Sequence, residues 1–217
     1  MNLSHRLQKI ADMVTPGYTV ADIGTDHAYL PIELVSTGKC PSAIAMDIKD
    51  GPLRIAQKHI EEHGLEDKII CRLSDGLQQL KNHEVRCAVI SGMGGDLISR
   101  IISDDPDKAE ELIISPHTHY ESVRKCLRNN HYSITDEDML VDSGKYYLII
   151  KAVKEEKELT HDDTDCDDYF GRILIERKNS CLKEYLLKEK AKFLNIPQKS
   201  EYLKIVDMAI NRIYEEN

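Results

Sequence analysis

The sequence predicts an α/β protein built on a parallel sheet with crossover helices. Two observations carry this. Over the first 150 residues, short apolar runs alternate with stretches of helical periodicity, the signature of strands linked through helices. Each strand-like run is apolar on both faces, as a sheet covered on both sides requires.

The elements follow in order. A helix is predicted over about 3–14, closed by Pro16-Gly17. Strands are predicted over 19–23, 43–47, 69–73, 88–91 and 112–115, with helices between them over 29–36, 52–63, 97–103 and 120–129. The rhythm then changes. Segments 132–141 and 145–153 are joined by Asp142-Ser143-Gly144-Lys145, a hairpin-like turn. Five parallel strands closed by an antiparallel pair give a Rossmann-like sheet of the class I methyltransferase type. A first domain is therefore expected over 1–154.

The remainder, 155–217, is expected to be a small C-terminal α-helical coiled-coil hairpin. Residues 155–168 carry eight acids against one lysine and read as a charged linker. Two helical patterns follow, separated by Asn195-Ile196-Pro197. The second repeats Leu203, Val206, Ile210 and Ile213 at helical spacing. The first carries Phe170, Leu174, Cys181 and Tyr185, with Lys178 interrupting. A short connection favours antiparallel packing of the two helices.

Composition sets outer bounds. Apolar residues make up 41% and charged residues 31% of 217, ordinary for a soluble domain. No apolar run reaches the ~20 residues that span a bilayer, and MNLSHRLQKI reads as an amphipathic helix start. The expected location is the cytoplasm, away from membranes, and the expected state a monomer. The six cysteines lie far apart without a CxxC pair, which argues against structural zinc and a disulfide framework. His59 and His63 share a helix face, but no third ligand accompanies them, and no metal is expected. A net charge of −9 does not announce a nucleic-acid partner. From Tyr169 onward, however, ten Lys/Arg face seven Asp/Glu.

The chemistry concentrates where strands end, the ligand-binding edge of an open α/β sheet. Asp22-Ile23-Gly24-Thr25-Asp26-His27 follows the first strand and opens a helix. Gly24 permits a tight turn and close backbone approach. Asp26 and Ala28 stand where a dinucleotide fingerprint has its later glycines. Carboxylates at Asp22 and Asp26 suit a cation and would repel a pyrophosphate. Asp47 closes the second strand, placed to accept from ribose hydroxyls. Asp75-Gly76 follows the third strand and Gly92-Met93-Gly94-Gly95 the fourth. Four consecutive strands each ending in Asp, Gly or both point to S-adenosylmethionine, which carries an ammonium and a sulfonium. Asp22→Ala and Gly94→Val are expected to abolish its binding or the transfer.

At these residues the sequence resembles the TrmK family of bacterial tRNA (adenine-22-N1)-methyltransferases. The matching stretches are Leu3-Ser4 with Arg6-Leu7, DIGTDHAYLP over 22–31, Asp50-Gly51-Pro52, Asp75-Gly76-Leu77 and Gly92-Met93-Gly94-Gly95. Gly144-Lys145-Tyr146-Tyr147 and Tyr169-Phe170-Gly171 extend the match into the second half. The chain departs from the family after the fifth strand, with Ser115-Pro116-His117 in place of Gln-Pro-Asn.

The resemblance implies methyl transfer to N1 of an adenine in tRNA. It places Asp26, His27 and Met93 nearest the reacting atoms. Cofactor contacts are expected from Asp22, Gly24, Asp26, His27, Asp47, Asp75, Gly76, Gly92, Met93 and Gly94. Substrate contacts are expected from Arg6, Gly95, Pro116, His117 and Arg124, with Arg6, Arg124, Lys125 and Arg128 meeting tRNA phosphates. Three alternatives stand beside it: methylation of another RNA, methylation of a small molecule, and a non-catalytic RNA-binding module of the same fold.

Overall fold

The structure is a computed structural model describing residues 3–155 and 164–215. Most of the predicted charged linker, 156–163, lies outside the described residues. The first 154 residues alternate as expected: α1 (His5–Met13), β1 (Val20–Ile23), α2 (Tyr29–Ser36), β2 (Ala43–Asp47), α3 (Asp50–Glu62), β3 (Ile69–Leu73), β4 (Cys87–Met93), α4 (Gly95–Asp104), β5 (Glu111–Pro116), α5 (Tyr120–Asn129), β6 (Tyr132–Asp142) and β7 (Lys145–Lys154).

The seven strands form one sheet in the order β3-β2-β1-β4-β5-β7-β6. β1 to β5 are parallel, while β7 runs antiparallel to β5 and β6 antiparallel to β7. This is the Rossmann-like methyltransferase layout read from the sequence. The β6–β7 turn places Ser143 and Gly144 at φ of 50° and 77°, as two-residue hairpin turns require. Strand order reverses at the β1/β4 junction, and a crevice opens outside the strand ends at such a point.

Apolar side chains cover both faces of the sheet. One cluster gathers α1, α2 and α3 through Ile10, Leu34 and Ile60 against Val20, Ala45 and Val89. The other gathers α4 and α5 against Ala21, Ile90 and Ile114. Among the described residues, no helix is long and apolar enough to cross a membrane.

The C-terminal region differs from a bare hairpin. Its first helical pattern resolves into α6 (Asp165–Phe170), α7 (Arg172–Glu176) and α8 (Ser180–Phe193), followed by α9 (Ser200–Tyr214). Thr164 and Asp167 form a capping box that starts α6. Gly171 at φ 84° and Lys178 at φ 52° make the breaks. Lys183 lies over the Tyr214 ring at 3.9 Å, and Lys190 pairs with Asp207 at 2.6 Å. These pairings make α8 and α9 antiparallel, as expected. Cys166, Phe170, Leu174, Leu186, Val206 and Ile213 join the apolar cluster of α4 and α5.

Arg124 corrects an expectation. Its side chain is 3% exposed, with its guanidinium 2.7 Å from Glu137, itself 1% exposed. A second nitrogen donates to the carbonyls of Asp168 (2.8 Å) and Tyr169 (3.2 Å). A guanidinium enclosed in this way cannot meet substrate or phosphate, so Arg124 ties α5 and β6 to α6. Arg128 pairs with Asp168 at 2.8 Å, and the more exposed Lys125 approaches the same carboxylate at 3.6 Å. Gly171 is part of this junction, since a side chain there would overlap the Glu137 carboxylate.

Candidate functional site

β1 delivers Asp22 to the sheet edge, where only 6% of it is exposed. The amides of Gly24 and Thr25 both donate to Met46 O at 2.8 Å, folding the chain across β2. Gly24 sits at φ 73°, and any side chain there would overlap the Met93 methyl. The turn brings back Thr25, whose hydroxyl donates to Asp22 Oδ2 at 2.7 Å. Burial lifts the Asp22 carboxyl to about 6, against the Thr25 hydrogen bond; Asp26 and Asp47 add to the rise, and Arg6 opposes it. Asp22 is thus a desolvated carboxylate short of a cation.

The loop then carries two consecutive left-handed residues, His27 (φ 59°) and Ala28 (φ 57°). Non-glycine residues held there cost roughly 1–3 kcal/mol each and cluster at ligand sites. His59 holds this conformation by donating from Nδ1 to His27 O at 3.0 Å. The His27 ring stacks on Tyr29 and His59 at 5.3 and 5.4 Å. The His27 and Asp26 side chains meet at 3.1 Å on the rim. His59 is therefore a support for the motif, and His63 is engaged with His59 O at 2.7 Å.

The opposite wall comes from α1. The Arg6 amide donates to Asp142 Oδ2 at 3.1 Å, and its guanidinium lies 5.1 Å from the centre of the Tyr147 ring. Arg6 Nη1 is buried with no hydrogen-bond partner. A cleft of about 270 Å³ results, lined by Arg6, Leu7, Asp22, Gly24, Asp26, Tyr29, Leu30, Ser91, Gly92 and His117. His117 donates its amide to Met93 O at 2.9 Å, and its ring meets Tyr147 edge-on. Burial, Arg6 and Lys145 lower its pKa, so the imidazole is neutral at physiological pH.

Six of the expected residues thus converge: Arg6, Asp22, Gly24, Asp26, Gly92 and His117. His27 stands on the rim beside Asp26, and the Met93 methyl packs against Gly24. Asp47 and Asp75 stand at neighbouring strand ends, outside the cleft lining. Asp47 accepts from Lys49 N at 2.7 Å, Asp75 accepts from Arg100 at 3.1 Å, and Gly76 packs on Ile101. Pro116 is buried in register with Met93. Leu7, Tyr29, Leu30 and Ser91 were missed as lining, although all but Ser91 fall in the stretches that carry the resemblance. Ile48, beside Asp47 just past the end of β2, is 59% exposed, an apolar side chain that no periodicity marks.

The loop glycines divide their labour differently from expectation. A side chain at Gly94 would meet only Thr118 Oγ1 at 3.3 Å, whereas one at Gly95 would overlap the carbonyl oxygens of Thr118 and His119. Gly95 also donates its amide to Thr118 O at 3.0 Å. It is needed for a backbone crossing and not for a substrate ring, which corrects its assignment as a substrate contact. Gly95→Ala is expected to cost about 1–3 kcal/mol by overpacking against immobile backbone. Gly94→Ala is expected to leave stability unchanged. Urea unfolding of the two variants checks the contrast.

Comparison with known proteins agrees with this geometry. Residues 3–150 match the family described as "Methyltransferase domain". A Bacillus subtilis protein named tRNA (adenine(22)-N(1))-methyltransferase is 38% identical over 185 residues, covering 83% of this chain and 78% of that protein. The crystal structure of the B. subtilis tRNA methyltransferase TrmK superposes with a TM-score of 0.85 at 31% identity, covering 98% of this chain and 97% of the other. TrmK of M. capricolum, solved with the cofactor product S-adenosyl-homocysteine, gives 0.82 at 32% identity, with 97% and 96% covered. The crevice at the sheet's switch point, the cationic preference of Asp22 and this likeness along the whole chain lead to one conclusion: the chain belongs to the TrmK family of tRNA (adenine(22)-N(1))-methyltransferases.

Proposed function

We propose that the protein transfers the methyl group of S-adenosylmethionine to N1 of adenine 22 in tRNA. The observation that carries the reading is the pair of opposed charges across one cleft, the desolvated Asp22 carboxylate and the unpartnered Arg6 Nη1. An amino-acid zwitterion satisfies both, its ammonium at Asp22 and its carboxylate at Arg6. A pyrophosphate would face Asp22 and Asp26 instead. Arg6 thereby moves from a contact with tRNA phosphate to a contact with the cofactor. Asp47 would accept from the ribose hydroxyls, and exposed Ile48 beside it offers the adenine an apolar surface.

When bound, the cofactor supplies an electrophilic methyl on a sulfonium. The protein's task is then positioning. Adenine N1 is unprotonated near neutral pH and has no proton to lose, so no general base is required. Gly92 keeps the end of β4 free of a side chain where the base must approach. Neutral His117 adds no cation beside a ring that becomes cationic, and Asp26, at the rim, is an acid that favours that charge. N1 lies on the Watson–Crick edge, so the base must be exposed before reaction.

Incubating unmodified tRNA with methyl-labelled cofactor, then analysing nucleosides, tests the proposal. Label is expected in 1-methyladenosine and is expected to vanish when adenine 22 is replaced by guanine. Label in another nucleoside, or in none, overturns it.

A further inference from the structure

We infer that a second cavity, one side chain away from the cofactor cleft, receives a nucleobase flanking the target adenine. This rests on the proposed tRNA substrate. The cavity, about 190 Å³, lies where the loop after β5 meets the C-terminal helices. Its walls include Tyr120, Tyr169, Phe170, Tyr185 and Tyr202, and it shares His117 with the cofactor cleft.

Three features select the occupant. The first is shape. Tyr169 and Phe170 meet Tyr202 edge-on or tilted, at 5.7 and 6.1 Å, and the rings wall a recess that opens to solvent. The space suits one flat heterocycle stacked on a ring face.

The second is hydrogen-bond polarity. Tyr202 donates its single proton to Glu189 Oε2 at 2.8 Å. The Tyr202 oxygen is therefore left with acceptor capacity only, matched to an N–H of a base edge, and the Tyr185 hydroxyl stands on the same wall. Burial raises the pKa of both phenols, so they stay protonated. The third is charge. Glu121 lines the cavity and Glu189 sits behind it, an environment that repels phosphate and accepts a base edge.

Extruding the target adenine breaks its stacking with both neighbours. A flanking base that follows it loses stacking that the tyrosine rings restore. His117, common to both linings, makes the two chambers neighbours.

The test is a cycle of tRNA and protein variants under steady-state methylation, with cofactor affinity and melting temperature measured in parallel. One tRNA lacks the base immediately 5′ of the target adenine, another the base immediately 3′. For the wild-type protein, one of these abasic tRNAs is expected to raise KM about tenfold or more, the usual worth of one base–aromatic stack, with little change in kcat. With Tyr169→Leu, intact tRNA should already show the raised KM, and the abasic tRNA should raise it no further. Tyr185→Phe removes a polar group from the wall while keeping the ring; a few-fold rise in KM at unchanged melting temperature and cofactor affinity supports the site even if Tyr169→Leu does not fold. Abasic tRNAs that behave like intact tRNA, or effects of base and side-chain removal that multiply independently, overturn the cavity assignment alone. A wild-type protein that makes no 1-methyladenosine on intact tRNA overturns the functional proposal and this site with it.

Discussion

Asp22→Asn is expected to lose cofactor binding by about thirtyfold or more while raising the melting temperature of the free protein. Both effects come from one carboxylate held out of water. Its pKa in the folded chain, about 6, lies above the value of about 3.9 in an unfolded one. Between those values the native state holds a proton that the unfolded state has lost, so stability falls as pH rises through the window. At neutral pH the ionised side chain costs on the order of 3 kcal/mol, since each pH unit separating the two values is worth about 1.4 kcal/mol. Asparagine removes that cost and can still accept from Thr25, although its amide nitrogen must be desolvated in return. A net gain of about 1–2 kcal/mol corresponds to roughly 2–8 °C for a chain of this size. The ammonium, however, loses a buried charged partner, a loss of about 2–5 kcal/mol. In the wild type the same linkage makes cofactor affinity fall tenfold per pH unit below about 6. Differential scanning calorimetry and calorimetric titration across pH measure both halves; tight binding by Asp22→Asn removes Asp22 from the site.

The second large effect is structural. Arg124→Ala is expected to cost about 3–5 kcal/mol, because it strands Glu137 as an uncompensated buried charge. Burial already raises the Glu137 pKa against the pull of Arg124. Without the guanidinium the rise is larger, so the orphaned carboxyl takes up a proton in the folded state. The penalty should therefore shrink toward about pH 5 and reach its full value near pH 8. Urea midpoints at the two pH values check this, and equal losses at both would mean that Glu137 is not the stranded group.

The five parallel strands, the antiparallel closure and the meeting of Asp22, Gly24, Asp26 and Gly92 at one cleft were legible because local rules agree along the first 154 residues. β2 and β3 begin and end where their apolar runs do, and α2 and α5 likewise. Arg124 misled for a physical reason. Its helix reads as amphipathic with charges outward, and its burial depends on α6, whose carbonyl partner lies 44 residues away. Gly95 misled similarly: a glycine announces close approach, and only the tertiary fold shows that Thr118–His119 does the approaching. The split between α7 and α8 turns on Lys178 in a left-handed conformation, which no propensity favours. The aromatic cavity was not legible at all, because its rings come from α5, α6, α8 and α9.

The attachment of Arg6 to Asp142 has a consequence for the protein's birth on the ribosome. The two ends of that hydrogen bond are 136 residues apart. At synthesis rates of about 5–20 residues per second, roughly 7–27 s separate the emergence of the first from that of the second. During that interval β1 and the glycine turn are already made, yet the wall opposite Asp22 has nothing to anchor it. A nascent chain short of the β6–β7 turn is thus expected to be blind to the cofactor, and ligand capture becomes a signal that the last strands have docked.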